Sequence, residues 1–402
     1  MKKLVLLFVI GTAFFANSQT VTENKVTMNY IQLPTNVIAK QYTFYSVVLA
    51  KSFETANEDS LLIYQSELES ASTIYDSELT TWKSVVKSLD RTYLSQMAIW
   101  EKQLNAGTVT PEPKKPIYPA QPTMRTTDMP QLHNDIQLYE VENAVKLEGF
   151  TKGAGGAVIT LDILPISSIE ITEKKSGSGT KTKYNYVCNY VLPIGVKIEA
   201  PGQGAVLQTI ILNESRIYKM KSFDSKYEHQ LWLFDNKEQF WNDLEKYART
   251  NALKEANIII NDASGFPVKS RIAEVYTIKK YKEHSYADLT NAYTIASQGY
   301  AKIANSRDAN AAKPKLLEAI ASWKKILEES NPADKKSRIN SKVTALLQCN
   351  IAEAYIWLSE FDEAEKYLNL IKAGSEGKFK RRAKKLQIAL TDRRLRWNSY
   401  FN

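Results

Sequence analysis

Apolar residues recur at helical spacing over an unusually long stretch of the chain. Residues 56–106 contain no Gly or Pro, and the steps between successive apolar positions in this stretch are all three or four residues. We call these positions the arm stripe: Leu61, Tyr64, Leu68, Ala71, Tyr75, Leu79, Trp82, Val86, Leu89, Tyr93, Met97, Trp100 and Leu104. The pattern predicts one amphipathic helix of about 50 residues, with a capping box at residues 55–58 and a stop at Gly107.

A proline-rich segment follows this helix. Six of the 13 prolines fall within residues 111–130, and four recur at every third residue from Pro113 to Pro122, the repeat of polyproline II. The helix would cover about 75 Å, and residues 107–130 would cover about 74 Å if extended. We therefore predict an arm at residues 56–130, in which the proline-rich segment returns along the stripe. The alternative is a flexible linker after a helix packed on the body.

Strand patterns lie on both sides of the arm. Residues 25–53 alternate between apolar and polar, and residues 144–220 contain β-rich runs separated by glycine-containing turns. These runs predict an antiparallel β-sandwich-like domain from residues 19–55 and 131–220, with the arm inserted into it. Residues 221–284 form a small α+β connecting segment, and helical patterns continue to the end. The predicted fold class is therefore α+β and multidomain.

The helical region repeats a pattern of small and bulky residues. The first unit contains Ala319, Trp323 and Ile326, and the second contains Asn350, Ala352, Tyr355, Phe361, Ala364 and Leu368. On these residues, positions 285–374 resemble two tetratricopeptide repeats, a family of stacked helical hairpins. The resemblance implies that small residues let paired helices approach while aromatic residues fill the space between hairpins. It also implies a concave face, built from the first helix of each hairpin, that binds a protein.

The match to tetratricopeptide repeats is incomplete. Ala319 and Ala364 are 45 positions apart in the chain, against about 34 in the family. We therefore expect the first helix of the second unit to extend across residues 335–347. Ser359 stands where the family has a turn glycine. An ordinary helical bundle is the alternative interpretation.

Positive charge is concentrated in the last segment. The formal net charge is +9, and residues 372–402 alone contain ten Lys or Arg against two acidic residues. Apolar residues at helical spacing predict that residues 375–402 form a capping helix with basic outer faces. Those faces carry the candidate docking residues Lys380, Arg381, Arg382, Lys384, Lys385, Arg393, Arg394 and Arg396. They form either a solvated cap or a docking surface for an acidic or anionic partner.

The first 18 residues have the pattern of a signal peptide. Two lysines precede an apolar run of about 12 residues, which is too short for a membrane span, and Ala16 and Ser18 fit a cleavage site. No later stretch is apolar enough to span a membrane. We expect an exported bacterial protein, periplasmic, secreted or cell-surface, with envelope proteins as partners. An exported chain whose basic residues do not alternate with stacking aromatics is not expected to bind nucleic acid.

The sequence contains none of the spacings that catalytic or metal sites require. The three histidines are far apart, and there is no Cys-x-x-Cys pair, phosphate-binding loop or Gly-x-Ser-x-Gly motif. We therefore expect no catalytic, cofactor-binding or metal-binding residues and no enzyme activity. Cys188 and Cys349 are interpreted as two separately buried small residues rather than a disulfide.

Three functions fit these patterns. The first is an exported, non-catalytic scaffold that holds protein partners through the repeat-like helices and the arm, as in an accessory subunit of an outer-membrane or secretion assembly. The second is an envelope glycan-binding or peptidoglycan-binding module that stacks sugars on β-domain aromatics: Tyr184, Tyr186, Tyr190 and Trp232. The third is a periplasmic chaperone-like protein whose arm holds unfolded clients.

Overall fold

The computed structural model describes residues 19–107, 109–179, 182–212, 216–279, 284–374 and 377–402. The predicted signal peptide, residues 1–18, lies outside the described residues. The fold is mixed α/β, with antiparallel strand pairs and a helical C-terminal region.

Ten strands and nine α-helices are found in the described residues. The strands are β1 Val21–Ile31, β2 Phe44–Ala50, β3 Thr151–Lys152, β4 Ala157–Ile163, β5 Ser168–Ser176, β6 Lys183–Val191, β7 Ile194–Ala200, β8 Gly204–Ile211, β9 Arg216–Phe223 and β10 Val268–Ile278. The helices are α1 Phe53–Asn105, α2 Leu138–Ala144, α3 Lys226–Asp235, α4 Lys237–Ser264, α5 Ala287–Ser306, α6 Lys313–Leu327, α7 Ser341–Trp357, α8 Phe361–Gly374 and α9 Gly377–Phe401.

Two sheets and α4 enclose the first hydrophobic core. One sheet has the order β3-β2-β4-β7-β8 and the other β5-β6-β9. Alternate residues of β4 and β7 are buried, so one face of each strand points into the core. Leu244, Ala248 and Ala252 of α4 pack into the same core. Cys188 belongs to this core and is free.

The antiparallel sheets that the sequence predicts are present, and β2 is an exception. This strand pairs in parallel with β3 and β4. Parallel neighbours need a crossover connection, and the segment containing α2 provides it by carrying the chain from the base of the arm back to the start of β2. The chain passes very close at this point, because a Cβ on Gly156 would lie 1.8 Å from the carbonyl oxygen of Phe44.

A second core lies under the C-terminal helices and includes a two-stranded ribbon. β1 pairs with β10 in antiparallel register from Val21–Ile278 to Ile31–Val268. This β1–β10 ribbon packs on α5 and α7, and its residues Met28 and Val275 are buried with those helices. Sequence analysis had grouped β1 with the sandwich-like domain and β10 with the connecting segment. Cys349 is free and buried in this core.

The long helix is present as α1, with 53 residues, and its start differs from the prediction. The helix begins at Phe53, before the expected capping box. The side chain of Ser52 does not cap it, because the Ser52 hydroxyl and amide bond to the carboxylate of Asp162 on β4, at 2.7 and 3.0 Å. A tertiary contact with the sheet therefore sets where the arm begins.

The expected extension of the second repeat-like unit across residues 335–347 is present from Ser341 onward and is wrong for residues 335–340. Residues 328–340 form a connection without regular helix, and α7 begins at Ser341. The Asn340 side chain accepts hydrogen bonds from the amides of Lys342 and Val343, so it caps α7. Arg338 pairs with Asp288 at 2.9 Å and with Glu329 at 2.7 Å, which holds the connection against α5. The extra residues between the units therefore form a connection.

Ser359 adopts the conformation for which the repeat family uses glycine. Its φ is +62°, and the amides of Ser359 and Glu360 donate to Ile356 and Tyr355, which closes a Schellman motif at the end of α7. A residue with a Cβ pays about 1–2 kcal/mol for this left-handed conformation.

We expect Ser359→Gly to raise the free energy of unfolding by about 0.5–1 kcal/mol, after allowance for the greater entropy of glycine in the unfolded chain. Urea denaturation would measure it. Ser322→Gly, in the middle of α6, is the control and is expected to lower the stability by up to about 1 kcal/mol. Loss of stability in Ser359→Gly would contradict the prediction.

Candidate partner-binding surfaces

The proline-rich segment lies along the arm stripe. Trp82 Nε1 donates to the carbonyl oxygen of Pro119 at 2.8 Å, and Trp100 Nε1 donates to the carbonyl oxygen of Thr110 at 3.0 Å. Tyr118 donates to the Asp90 carboxylate at 2.5 Å, and this bond raises the pKa of the Tyr118 hydroxyl. A proline-rich chain has few amide donors and keeps its carbonyl acceptors, which suits it to indole N–H groups.

The base of the arm is tied to the body by polar contacts. The amide side chain of Asn57 and the backbone of His133 exchange two hydrogen bonds, at 2.8 and 2.9 Å. Lys51 pairs with Asp135, and this contact lowers the pKa of the Asp135 carboxyl. The outgoing and returning chains are therefore joined where they leave and re-enter the first core.

The arm is only partly covered by its own chain. Phe53 is the only residue of α1 that is buried, and the arm-stripe residues other than Leu104 are half-buried. A second line of apolar residues on α1 is exposed: Ile63, Ile74, Val85 and Ile99, with exposed fractions of 61, 42, 42 and 55%. At about 100° per residue these four lie within about 40° of one another around the helix axis, to one side of the arm stripe. We call this line the free arm face.

The free arm face is not among the sequence-based predictions, because the arm stripe is the stronger apolar pattern in this segment. The available signal was the spacing of Ile63, Ile74 and Val85, which are 11 residues apart. An 11-residue repeat is three helical turns and keeps side chains on one face. Small polar residues such as Ser70, Thr81 and Ser88 also lie on this line, together with Glu67 and Glu78.

The residues of the repeat-like pattern all lie in the second core. Every one is buried: Ala319, Trp323, Ile326, Asn350, Ala352, Tyr355, Phe361, Ala364 and Leu368. The β1–β10 ribbon packs on α5 and α7, the helices to which the resemblance assigns partner binding. Asn350 Oδ1 accepts from the amide of Tyr276 and Asn350 Nδ2 donates to the carbonyl of Tyr276, both at 2.9 Å. The chain itself thus covers part of α5 and α7.

Arg382, a candidate docking residue, is a buried structural residue. It pairs with Glu353, which is 1% exposed, and with Glu274 at 3.0 Å. Burial raises the pKa of the Glu353 carboxyl, and the positive charge of Arg382 opposes that shift. The contact joins α9, α7 and β10.

Three further basic residues of α9 also hold it to the body. The guanidinium of Arg393 lies 4.3 Å from the ring centre of Trp357. Arg394 pairs with Asp362 and Glu365 of α8 at 3.1 and 3.0 Å. Arg396 pairs with Asp262 of α4 at 2.9 Å. The remaining candidates, Lys380, Arg381, Lys384 and Lys385, are exposed and available for an anionic partner.

Most of the β-domain aromatics proposed for sugar stacking pack against other side chains of the protein. Tyr186 stacks on His229 with ring centres 3.4 Å apart, and Tyr190 is 1% exposed. Trp232 packs against Phe223 and Phe240. Tyr184 is half-buried at the start of β6. The faces of Tyr186, Tyr190 and Trp232 are therefore occupied by protein, whereas Tyr184 is partly exposed.

The structure shows how the histidines are used and what the described residues lack. His133 contacts Glu245 at 3.3 Å, and burial lowers the pKa of His229. Within the described ranges, no group of three or more His, Cys, Asp or Glu side chains could hold a metal ion. No helix in the same ranges combines the length and apolar character that crossing a membrane requires.

No family profile, curated protein or solved structure matches the chain.

Proposed function

We propose that the chain is an exported, non-catalytic interaction protein of a bacterial cell envelope, and that its arm is the main partner-binding element. The observation that carries this proposal is the free arm face. It lies on a helix that makes no extensive contact with another helix or strand of the described residues. Its four branched apolar side chains are 42–61% exposed, so the arm itself leaves them partly uncovered and able to contact a partner.

Charge favours a different protein over a second copy of this chain as the occupant. The free arm face carries Glu67 and Glu78 and has no Lys or Arg among its positions from Ile63 to Ile99. Two copies of the face would bring like charges together, whereas a helix with an apolar line flanked by Lys or Arg would complement it. An accessory subunit of an outer-membrane or secretion assembly would use the arm in this way.

The C-terminal helices serve a different role in this proposal. In α5–α6 and α7–α8, the small and bulky residues of the repeat-like pattern pack the second core. We assign partner binding to the arm and not to α5 and α7, because the β1–β10 ribbon packs on these two helices. The exposed lysines of α9 remain an accessory contact for an anionic surface.

Cross-linking in cells with three-site arm variants tests the proposal. The test variant carries Ile74→Lys, Val85→Lys and Ile99→Lys, and the matched control carries Thr73→Lys, Ser84→Lys and Ala98→Lys, which are exposed on another side of α1. Both add the same charge. We expect cross-links from Lys83 and Lys87 to one or two defined envelope proteins, reduced at least tenfold in the test variant only, because buried lysines oppose apolar packing.

Other outcomes would reject the proposal in distinct ways. Equal cross-linking by both variants would exclude the free arm face. Cross-links only between copies of this chain would show that the arm mediates self-association and does not bind a different protein. Many weak links to unrelated proteins, with suppression of aggregation of an unfolded client, would favour the chaperone-like alternative. That alternative is supported by the same exposed apolar residues.

A further inference from the structure

A cleft lies between the end of β1 and the C-terminal end of α9, away from the arm. It has a volume of about 370 Å³ and is bordered by the ends of α5, α7 and α9. Six aromatic residues contribute to its wall: Tyr30, Phe266, Trp357, Trp397, Tyr400 and Phe401. Clefts of roughly 300–1,000 Å³ with apolar walls and a few polar groups are typical of ligand sites.

Two side chains in the cleft wall keep N–H donors that have no acceptor among the described residues. Trp357 is 1% exposed, and its Nε1–H has no acceptor in the part of the chain that the structure describes. Arg393 donates from Nε to the carbonyl of Ile356 at 3.2 Å, and no carboxylate of the described residues lies within ion-pair distance of it. A buried donor without an acceptor is costly, as at Trp357, and the free nitrogens of half-buried Arg393 can pair with a ligand that accepts hydrogen bonds.

Burial destabilises the charged form of Arg393. Desolvation lowers the pKa of its guanidinium to about 10, and it remains protonated at neutral pH. Its neighbour Arg396, by contrast, is fully engaged by Asp262 and Asp392 at 2.9 and 2.8 Å. An anion reaching Arg393 would therefore relieve a desolvated cation, and its planar guanidinium is suited to a carboxylate.

The backbone at the rim of the cleft is also unusual. Arg307 and Ser359 are the two non-glycine residues with positive φ among the described residues, at +60° and +62°. Both contribute to the cleft wall. Both residues end helices, Arg307 after α5 and Ser359 after α7, so helix capping accounts for their conformation.

We propose that this cleft binds the C-terminal segment of a partner protein, with the last apolar or aromatic side chain among the rings and the terminal carboxylate on Arg393. Asp308 and Asp392 also line the cleft. Arg307, Lys313, Arg393 and Arg396 line it as well, so the cleft has a net positive charge, while the two carboxylates suit the N–H donors of a peptide. The site is independent of the free arm face.

Titration of the full-length protein with paired peptide pools tests this site. The probe is a pool of N-acetylated pentapeptides with four random positions and a C-terminal phenylalanine, and its control is the same pool as the C-terminal amide. Binding is measured by calorimetry and by tryptophan fluorescence. We expect the acid pool to bind at least tenfold more tightly than the amide pool, because only the acid carries the charge that Arg393 pairs with.

Two variants assign the binding to the cleft. Arg393→Gln should weaken binding of the acid pool at least tenfold. Ile31→Asp, at a position that is 44% exposed and lines the cleft, should do the same through charge repulsion even if Arg393→Gln affects folding. Two controls should bind the acid pool as tightly as the unmodified protein does. One is Arg381→Gln, on the exposed side of α9, and the other is the arm variant with Ile74→Lys, Val85→Lys and Ile99→Lys.

Each contrary result would overturn the proposal. Equal binding of the acid and amide pools would show that the cleft does not recognise the terminal carboxylate. Unchanged binding in both cleft variants would place the peptide elsewhere. Binding of laurate or of inorganic phosphate in the absence of peptide binding would assign the cleft to another anion.

Discussion

Replacing Arg382 with methionine is expected to lower the free energy of unfolding by about 3–5 kcal/mol. Glu353 is almost completely buried, and Arg382 is its closest cationic partner. Arg271 lies at 4.0 Å from the other oxygen of Glu353 and compensates only in part. Removal of Arg382 would leave the Glu353 carboxylate buried and poorly paired. Denaturation in guanidinium chloride, followed by circular dichroism, would measure the loss.

The adjacent residue provides a matched control. Arg381→Met removes the same charge at an exposed position, and we expect a change of at most about 0.5 kcal/mol. The double replacement Arg382→Met and Glu353→Met should recover part of the lost stability, because an apolar pair can replace a buried ion pair. If Arg381→Met and Arg382→Met lower the stability equally, the assignment of Arg382 to the core is wrong.

Replacing Asn350 with alanine is expected to lower the free energy of unfolding by about 2–4 kcal/mol, because a buried N–H and a buried C=O lose their partners together. Both groups belong to Tyr276, which is 2% exposed on the edge of β10. The Asn350 side chain replaces a neighbouring strand at this edge. The measurement is urea denaturation, combined with amide exchange at Tyr276.

The exchange experiment separates local from global effects. We expect the Tyr276 amide to exchange faster in Asn350→Ala, with the ribbon otherwise still paired. Gln348→Ala, two residues away in α7 and half-buried, is the control and should change the stability by less than about 0.5 kcal/mol. Slow exchange at Tyr276 in the Asn350 variant would show that another group satisfies the edge of β10.

These two residues show why part of the site could not be predicted from the sequence. Asn350 matched a repeat-like pattern, and Arg382 belonged to a basic run that resembled a solvated surface. Their partners are 74 and 29 positions away in the chain. Periodicity reports which residues share a face, and it does not identify what covers that face.

The arm shows the opposite case. Its helix, its length and its proline-rich return follow from local rules: a 3.6-residue period without Gly or Pro, and prolines at every third position. Even here the first residue of α1 depended on Asp162, more than 100 positions away. The free arm face was visible as an 11-residue spacing, but its exposure depended on which side the return covers.

Local sequence therefore determined the long arm helix, the extended return, the helical C-terminal region and the burial of the repeat-like residues. Only the tertiary structure decided that β1 pairs with β10, that β2 has parallel neighbours, and that half of the basic candidates of α9 are structural. The physical reason is that strand pairing and ion pairing join residues far apart in the chain. Their energies depend on burial and neighbours, which no short stretch of sequence contains.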